Sequence, residues 1–253
     1  MESTAPAAKA SGLSTVVNTI AAPSDAFETI RVAPTWGWAL VITIVLVTIA
    51  AFLEAPAVRH VQIVTTQHML ATSSYAANIP PDRKQKMLAD AAHPSALARA
   101  TALIGPAIGL FIAVLLNTLF LLIGNAVGRG QADFKRLWAA SMNIAVPTVG
   151  LGAIVTAIIV MLRNPDSFNS SIDIAKAVPS LAWIMPNAST ALLAFGAAIS
   201  IFSLWGLFLN ATTLRLTAKT SAGVAYTFAA LITLLGAFFF SASAQALHNF
   251  GMG

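Results

Sequence analysis

The chain contains no cysteine. Disulfides, thiolate nucleophiles and thiolate-bound metals are thereby excluded. Charge is also scarce. Only 9% of the 253 residues are Asp, Glu, Lys or Arg, whereas a soluble domain carries about a quarter. So few charges cannot cover a water-facing surface of this size. With 57% hydrophobic residues and a mean hydropathy of +0.79, the chain reads as a polytopic membrane protein.

A basic stripe is missing too. The net charge is +5, but the 14 basic residues are scattered, and the longest cluster is Arg83-Lys84-Gln85-Lys86. Nucleic-acid binding needs basic residues gathered on one face, so no nucleic-acid partner is expected. The first thirty residues hold a single lysine, Lys9, and no continuous apolar core, so no signal peptide is expected. The histidines, His60, His68, His93 and His248, form no metal-ligand spacing. Neither a metal nor a cofactor is expected.

What is present is five long apolar runs: Trp36–Leu53, Ala100–Gly124, Leu137–Leu162, Ala191–Leu214 and Gly223–Ala244. A bilayer core of about 30 Å takes roughly 20 such residues as a helix. The predicted fold is therefore all-α: five transmembrane helices with short interfacial helices between them. Trp36, Trp38 and Trp138 stand at run ends, where interfacial aromatics belong.

None of the five runs contains a charged residue or a histidine. General acid–base chemistry needs a titratable group within reach of the reacting atom, so no enzymatic activity is expected. Ion-coupled carriers also place ionisable groups inside the bilayer. Here the intramembrane polar groups are neutral, chiefly Asn117, Asn143, Ser200, Ser203 and Asn210. They suit packing between helices. A small-molecule or lipid transporter or channel is the alternative reading, and it would need a wet cavity lined by Asn117, Asn143 or Ser200.

Between the runs, residues 1–12 are rich in Ala, Ser and Thr and read as disordered. Leu13, Val16, Val17 and Ile20 share one helical face, which predicts a helix on the membrane surface. Pro23, Ser24 and Asp25 open another helix, with Phe27 and Ile30 on one side and Pro34 as its stop. Residues 54–99 read as two short helices split by Pro80-Pro81, the first lined by Val61, Val64 and His68. The greasy segment interrupted by Pro179 and Pro186 is too short to span. The organisation is thus an N-terminal segment, 1–22, a membrane domain, 23–245, and a short tail, 246–253.

Small residues recur four apart at Gly105/Gly109 and Gly124/Gly128. Such pairs let helices approach closely; packing within the bundle is the first expectation, a dimer face the second. Arg129, Lys135 and Arg136 fall in the short loop between the second and third runs, where they anchor the loop inside and meet lipid headgroups. In "ISIFSLWGLFL", Phe202 and Trp205 are expected to wedge against neighbouring helices. With the N-terminus inside, basic residues divide seven to seven. Setting aside Arg83, Lys84 and Lys86, which lie far from any run, leaves seven against four and favours that orientation.

Four stretches in order resemble one family. They are "APSDAFETIRVAPTW", "GRGQADFKRLWAASMNIAVP", "RNPDSFN" and "ISIFSLWGLFL". Together they are similar to the bacterial branch of the Yip family, the Ypt/Rab-GTPase-interacting membrane proteins. The matching positions are Pro23, Phe27, Ile30 and Pro34, then Gly128, Gly130, Phe134 and Pro147. Asn164, Pro165 and Asp166 match a polar turn, and Phe202 and Trp205 a pair in the fourth run. The resemblance implies a five-span domain with a cytoplasmic N-terminus, no catalysis, and residence in a bacterial inner membrane. It also implies association with lipids and with another membrane protein or itself. Eukaryotic relatives act with prenylated GTPases; some bacterial ones accompany ABC-type exporters. Two departures stand out: Ser200 occupies the place of an acidic residue common in relatives, and the Asp-Leu-Tyr-Gly-Pro stretch of the eukaryotic branch is absent.

Overall fold

The computed structural model describes residues 11–249; of the disorder expected for residues 1–12, residues 1–10 lie outside them, as do the tail residues 250–253, while Ser11 and Gly12 are ordered at the start of the first helix. Among the described residues the chain is helical, with one isolated bridge between Ser180 and Ser200 as its only extended pairing. Helix α1 (Gly12–Ala21) is capped by Ser11, whose side chain accepts the Ser14 N–H at 3.1 Å. Leu13, Val17 and Ile20 face outward, as a surface helix requires. Val16, at the inner edge of that stripe, turns into the core beside Ala39 and Met142.

Helix α2 (Pro23–Val32) begins at a proline, whose missing N–H has no partner to lose in a first turn. Ala26, Phe27 and Ile30 are fully buried, and Phe27 and Ile30 pack on Ala139, Ala140, Ile144 and Leu209. Pro34 sits in the turn before the next helix.

Helix α3 (Gly37–Thr72) corrects the expectation that residues 54–72 form a helix of their own. It is one helix of 36 residues that passes through Pro56. Its length is about 54 Å at 1.5 Å per residue, so it outruns the hydrocarbon core. Its inward stripe explains the continuity: Thr43, Val47, Ala50, Ala57 and Val61 stay on one face at helical spacing across the proline, and Pro56 lies on the exposed side. Ala57 and Val61 pack on Val160, Phe168 and Ala177. Helix α4 (Pro81–Ala92) forms as expected.

Helix α5 (Ala96–Val127), capped by Ser95, is the second long apolar helix. The third is α6 (Phe134–Ala145), capped by Asp133, continuing through a π-turn at Val146–Leu151 into α7 (Gly152–Met161). Pro147, which lacks an N–H, sits in the wide turn. Helix α8 (Ser171–Ala175) follows.

The fourth apolar run departs from the expected single helix. It is broken at Ile199–Ser200 into α9 (Thr190–Ala198) and α10 (Ile201–Thr212), which ends in a second π-turn at Thr213–Thr217. The cause is competition for backbone groups by the segment at Pro179–Leu181. Leu181 N–H donates to the Ile199 carbonyl at 3.1 Å, and Ile201 N–H donates to the Pro179 carbonyl at 3.3 Å. Ser200 and Ser203 then cap α10 reciprocally. The approach needs Gly196, where a Cβ would lie 2.8 Å from the Ala182 nitrogen. Helix α11 (Ala222–Asn249) packs along both α9 and α10. Among the described residues four helices are thus long and apolar enough to cross a membrane, and the remaining run is a discontinuous helix inside their bundle.

Candidate functional site

At one end of the bundle the loop after α5 is clamped by a side chain the sequence did not single out. Asn125 donates from Nδ2 to the Ala132 carbonyl at 3.0 Å and accepts the Ala132 N–H on Oδ1 at 3.2 Å. Gly130 N–H donates to the Asn125 carbonyl at 2.7 Å, and Gln131 N–H to the Ala218 carbonyl at 2.8 Å. No side chain fits at Gly130, because a Cβ would strike Asn125 Oδ1 and lie 2.7 Å from the Ala218 oxygen. At Gly128 it would lie 2.7 Å from Thr220 Cγ2. These contacts explain the two glycines of the matched Gly-x-Gly pattern. Asn125 was visible only as the second letter of "GNAVG".

Arg129, at φ 52°, stands exposed at the loop tip, with Lys135 exposed nearby. Arg136 lies 3.8 Å from Asp133 on its own helix. Phe134 stacks on Trp138, which also meets Trp36 edge-on. Arg215 and Lys219 are exposed at this same end, and Thr217 Oγ1 donates to the Phe27 carbonyl at 2.9 Å. Helix α2, the α5–α6 loop and the π-turn after α10 therefore share one basic face.

The other end holds the Asn164-Pro165-Asp166 turn. Asn164 Oδ1 accepts the Asp166 N–H at 3.0 Å, and Asp166 Oδ1 lies 3.1 Å from His60 Nδ1 on the outrunning part of α3. Arg163 lies over the ring of buried Phe168 at 4.8 Å. Asp173 completes a capping box with Ser170 and meets Lys176 Nζ at 3.1 Å. Partial burial alone would raise its pKa. Hydrogen bonds from Lys176, the Asn169 N–H and Ser170 outweigh that and hold the carboxyl below its ordinary value.

Two features lie at membrane depth. The first is the N-terminal half of α5. From Ala96 to Gly109 every described residue is exposed except half-buried Ala107, and the first buried position is Leu110. Gly105 and Gly109 belong to this stretch, and a Cβ on either meets nothing within 4 Å. The expectation that they pack within the bundle is corrected: among the described residues neither glycine meets a neighbouring helix. Gly124, farther along, does pack, 2.9 Å from Phe228 Cγ by the same measure.

The second is a cavity of about 510 Å³ between α5, α6, α7, α10 and α11. Asn117, Ser141 and Asn210 line it from three helices. Asn117 Nδ2 donates to Ser141 Oγ at 2.9 Å and to Asn210 Oδ1 at 3.1 Å. Asn210 is thus drawn into the bundle. Ser200 and Phe202 also line the cavity, and Phe202 packs 3.3 Å from a Cβ position at Gly152. Trp205 does not wedge against a neighbouring helix: it faces outward and stacks on Phe208 at 5.2 Å. Asn143 lies elsewhere, donating to the carbonyls of Thr35 and Ala139 at 2.8 Å.

Long apolar helices, with a discontinuous helix among them and no Asp, Glu, Lys or Arg fully buried among the described residues, define a polytopic α-helical membrane protein. The Yip1 domain matches residues 17–242, nearly the whole chain, and the protein belongs to that family. No curated protein and no solved structure matches it.

Proposed function

We propose that this protein is a non-catalytic accessory of another membrane protein, which it engages through the N-terminal half of α5. The observation that carries this reading is the stretch Ala100–Gly109, about 15 Å of apolar helix exposed on nearly all sides. Gly105, Pro106 and Gly109 give it a face without bulk beside Ile104 and Ile108. Lipid covers either face, but only a small-residue face lets a second helix approach closely enough for extensive backbone contact. The occupant is therefore a transmembrane helix of a partner. An ABC-type exporter, the class that the family resemblance brings forward for bacterial relatives, is the first candidate. The proposed setting is a bacterial inner membrane with the basic face, including Arg129 and Lys135, toward the cytoplasm.

The test is affinity purification of the tagged full chain from its native membrane in mild detergent, followed by mass spectrometry. Wild type should retain a membrane partner in stoichiometric amount. Gly105→Leu and Gly109→Leu should lose it without any change in thermal midpoint, since both positions meet open space. A partner equally retained by both variants, or none retained by wild type, would refute the reading. Recovery of the chain with itself alone would replace the accessory role with self-association.

A further inference from the structure

We propose that the cavity between α5, α6, α10 and α11 is a binding site for an uncharged amphiphile that enters sideways from the bilayer. Its volume, about 510 Å³, falls in the range of small-molecule sites, roughly 300–1,000 Å³. Its rim includes Ala113 of α5 and Gly236 of α11, both exposed on long apolar helices. Both positions face hydrocarbon, so a ligand passing between them enters from the bilayer rather than from water.

The polar lining is sharply divided. Thr148, Thr156 and Thr233 donate their hydroxyls to the Ile144, Gly152 and Ala229 carbonyls of their own helices. Ser203 donates to the Ser200 carbonyl. These groups have nothing left to donate. Ser141 and Asn210 each keep a donor, as does Ser200, whose hydroxyl only accepts from the Ser203 N–H, while Asn117 keeps an acceptor. The two donor bonds from Asn117 Nδ2 leave Asn117 Oδ1 as a spare acceptor, and Asn210 Nδ2 and the Ser141 hydroxyl as spare donors, among the described residues. Asn210 is only 5% exposed and Ser141 2%. Free amide and hydroxyl groups at this depth are costly unless something meets them. A ligand head that both donates and accepts, such as a hydroxyl beside an ester or an amide, meets Asn117, Ser141 and Asn210.

Charge on that head is excluded by the lining, which holds no Lys, Arg, His, Asp or Glu. Val114, Ile144, Phe202, Ala237 and Phe240 supply apolar walls for the body. This site is independent of the α5 docking surface, because Gly105 and Gly109 do not line it.

The experiment is native mass spectrometry of the delipidated full chain, titrated with 1-oleoylglycerol and, separately, with oleate. The neutral lipid should bind at one saturable equivalent, and oleate at least about tenfold more weakly. Gly236→Leu projects into open space at the rim, where a Cβ meets nothing within 4 Å, so it should block entry while leaving the thermal midpoint unchanged. Asn210→Leu should weaken 1-oleoylglycerol roughly tenfold by removing head contacts. Should Gly236→Leu lower the thermal midpoint, Ala113→Leu narrows the same rim from the opposite helix. Gly105→Leu should bind as wild type does, even though it loses the protein partner. Non-saturable uptake, equal binding of oleate, or wild-type affinity in a folded rim variant would overturn the site.

Discussion

Asparagine does three different jobs in this molecule, and each follows from what the amide faces. Asn125 meets a backbone N–H and a carbonyl of the same residue, Ala132, so both ends of its amide are satisfied and the loop is fixed. Asn143 spends Nδ2 on two carbonyls and leaves Oδ1 buried without a partner. Asn117 joins two polar side chains and faces a cavity. Replacing Asn125 by Ala should therefore cost about 2 kcal/mol, the value of two hydrogen bonds with one loop carbonyl left unmet. Amide exchange at Gly130–Ala132 should accelerate in the variant, and unchanged protection there would show that the clamp is not what holds the loop. The sequence displayed Gly128 and Gly130 because glycine is a rare choice with a steric meaning. It hid Asn125, because an asparagine in a helix carries no mark of its partner.

Helix boundaries were legible where a starting proline or a packed stripe marked them. Pro23 starts α2 and Phe27 with Ile30 gives its buried face, whereas the runs read from Ala100 and Leu137 fall short of the α5 and α6 starts that Ser95 and Asp133 cap. They were not legible where a remote strand of backbone intervened. The break at Ile199–Ser200 depends on Pro179 and Leu181, some twenty positions away, and no local pattern in an apolar run announces it. The opposite holds on α3: the apolar run ends at Leu53, but the buried stripe continues past it and past Pro56. Helix α8 supplies the prediction at this scale. Asp173 is held below its ordinary pKa in the fold, so it binds a proton less readily folded than unfolded. Its contribution is complete above the ordinary carboxylate range and fades as pH falls through that range toward the depressed value. Protection of the 170–177 backbone from exchange should decline over that acidic window in wild type. In Asp173→Asn it should be lower at neutral pH and nearly flat; an identical pH profile in both would remove Asp173 from the account.

For the whole molecule, composition carried most of the class. Scarce charge and long apolar runs required a membrane, and the helical bundle follows from the need to satisfy every backbone group inside lipid. The structure adds that the basic residues of the α5–α6 loop and of the turn after α10 gather at one end with α2. Under the proposed orientation that end is cytoplasmic. A single cysteine placed at exposed Gln131, in a chain with no other, should be inaccessible to a membrane-impermeant maleimide added to intact cells. It should label after lysis, and labelling before lysis would invert the topology.

The candidate surface was only half legible. Gly105 and Gly109 were visible as a close-approach pair, but which side of α5 the bundle covers depends on tertiary contacts that begin at Leu110. The most direct measurement of the accessory role is therefore in-membrane photocrosslinking from a benzophenone side chain at Gly105, with one at Gln245, near the end of α11, for comparison. The account predicts a discrete adduct to a second membrane protein from Gly105 and none from Gln245. Adducts to lipid alone from Gly105 would contradict it.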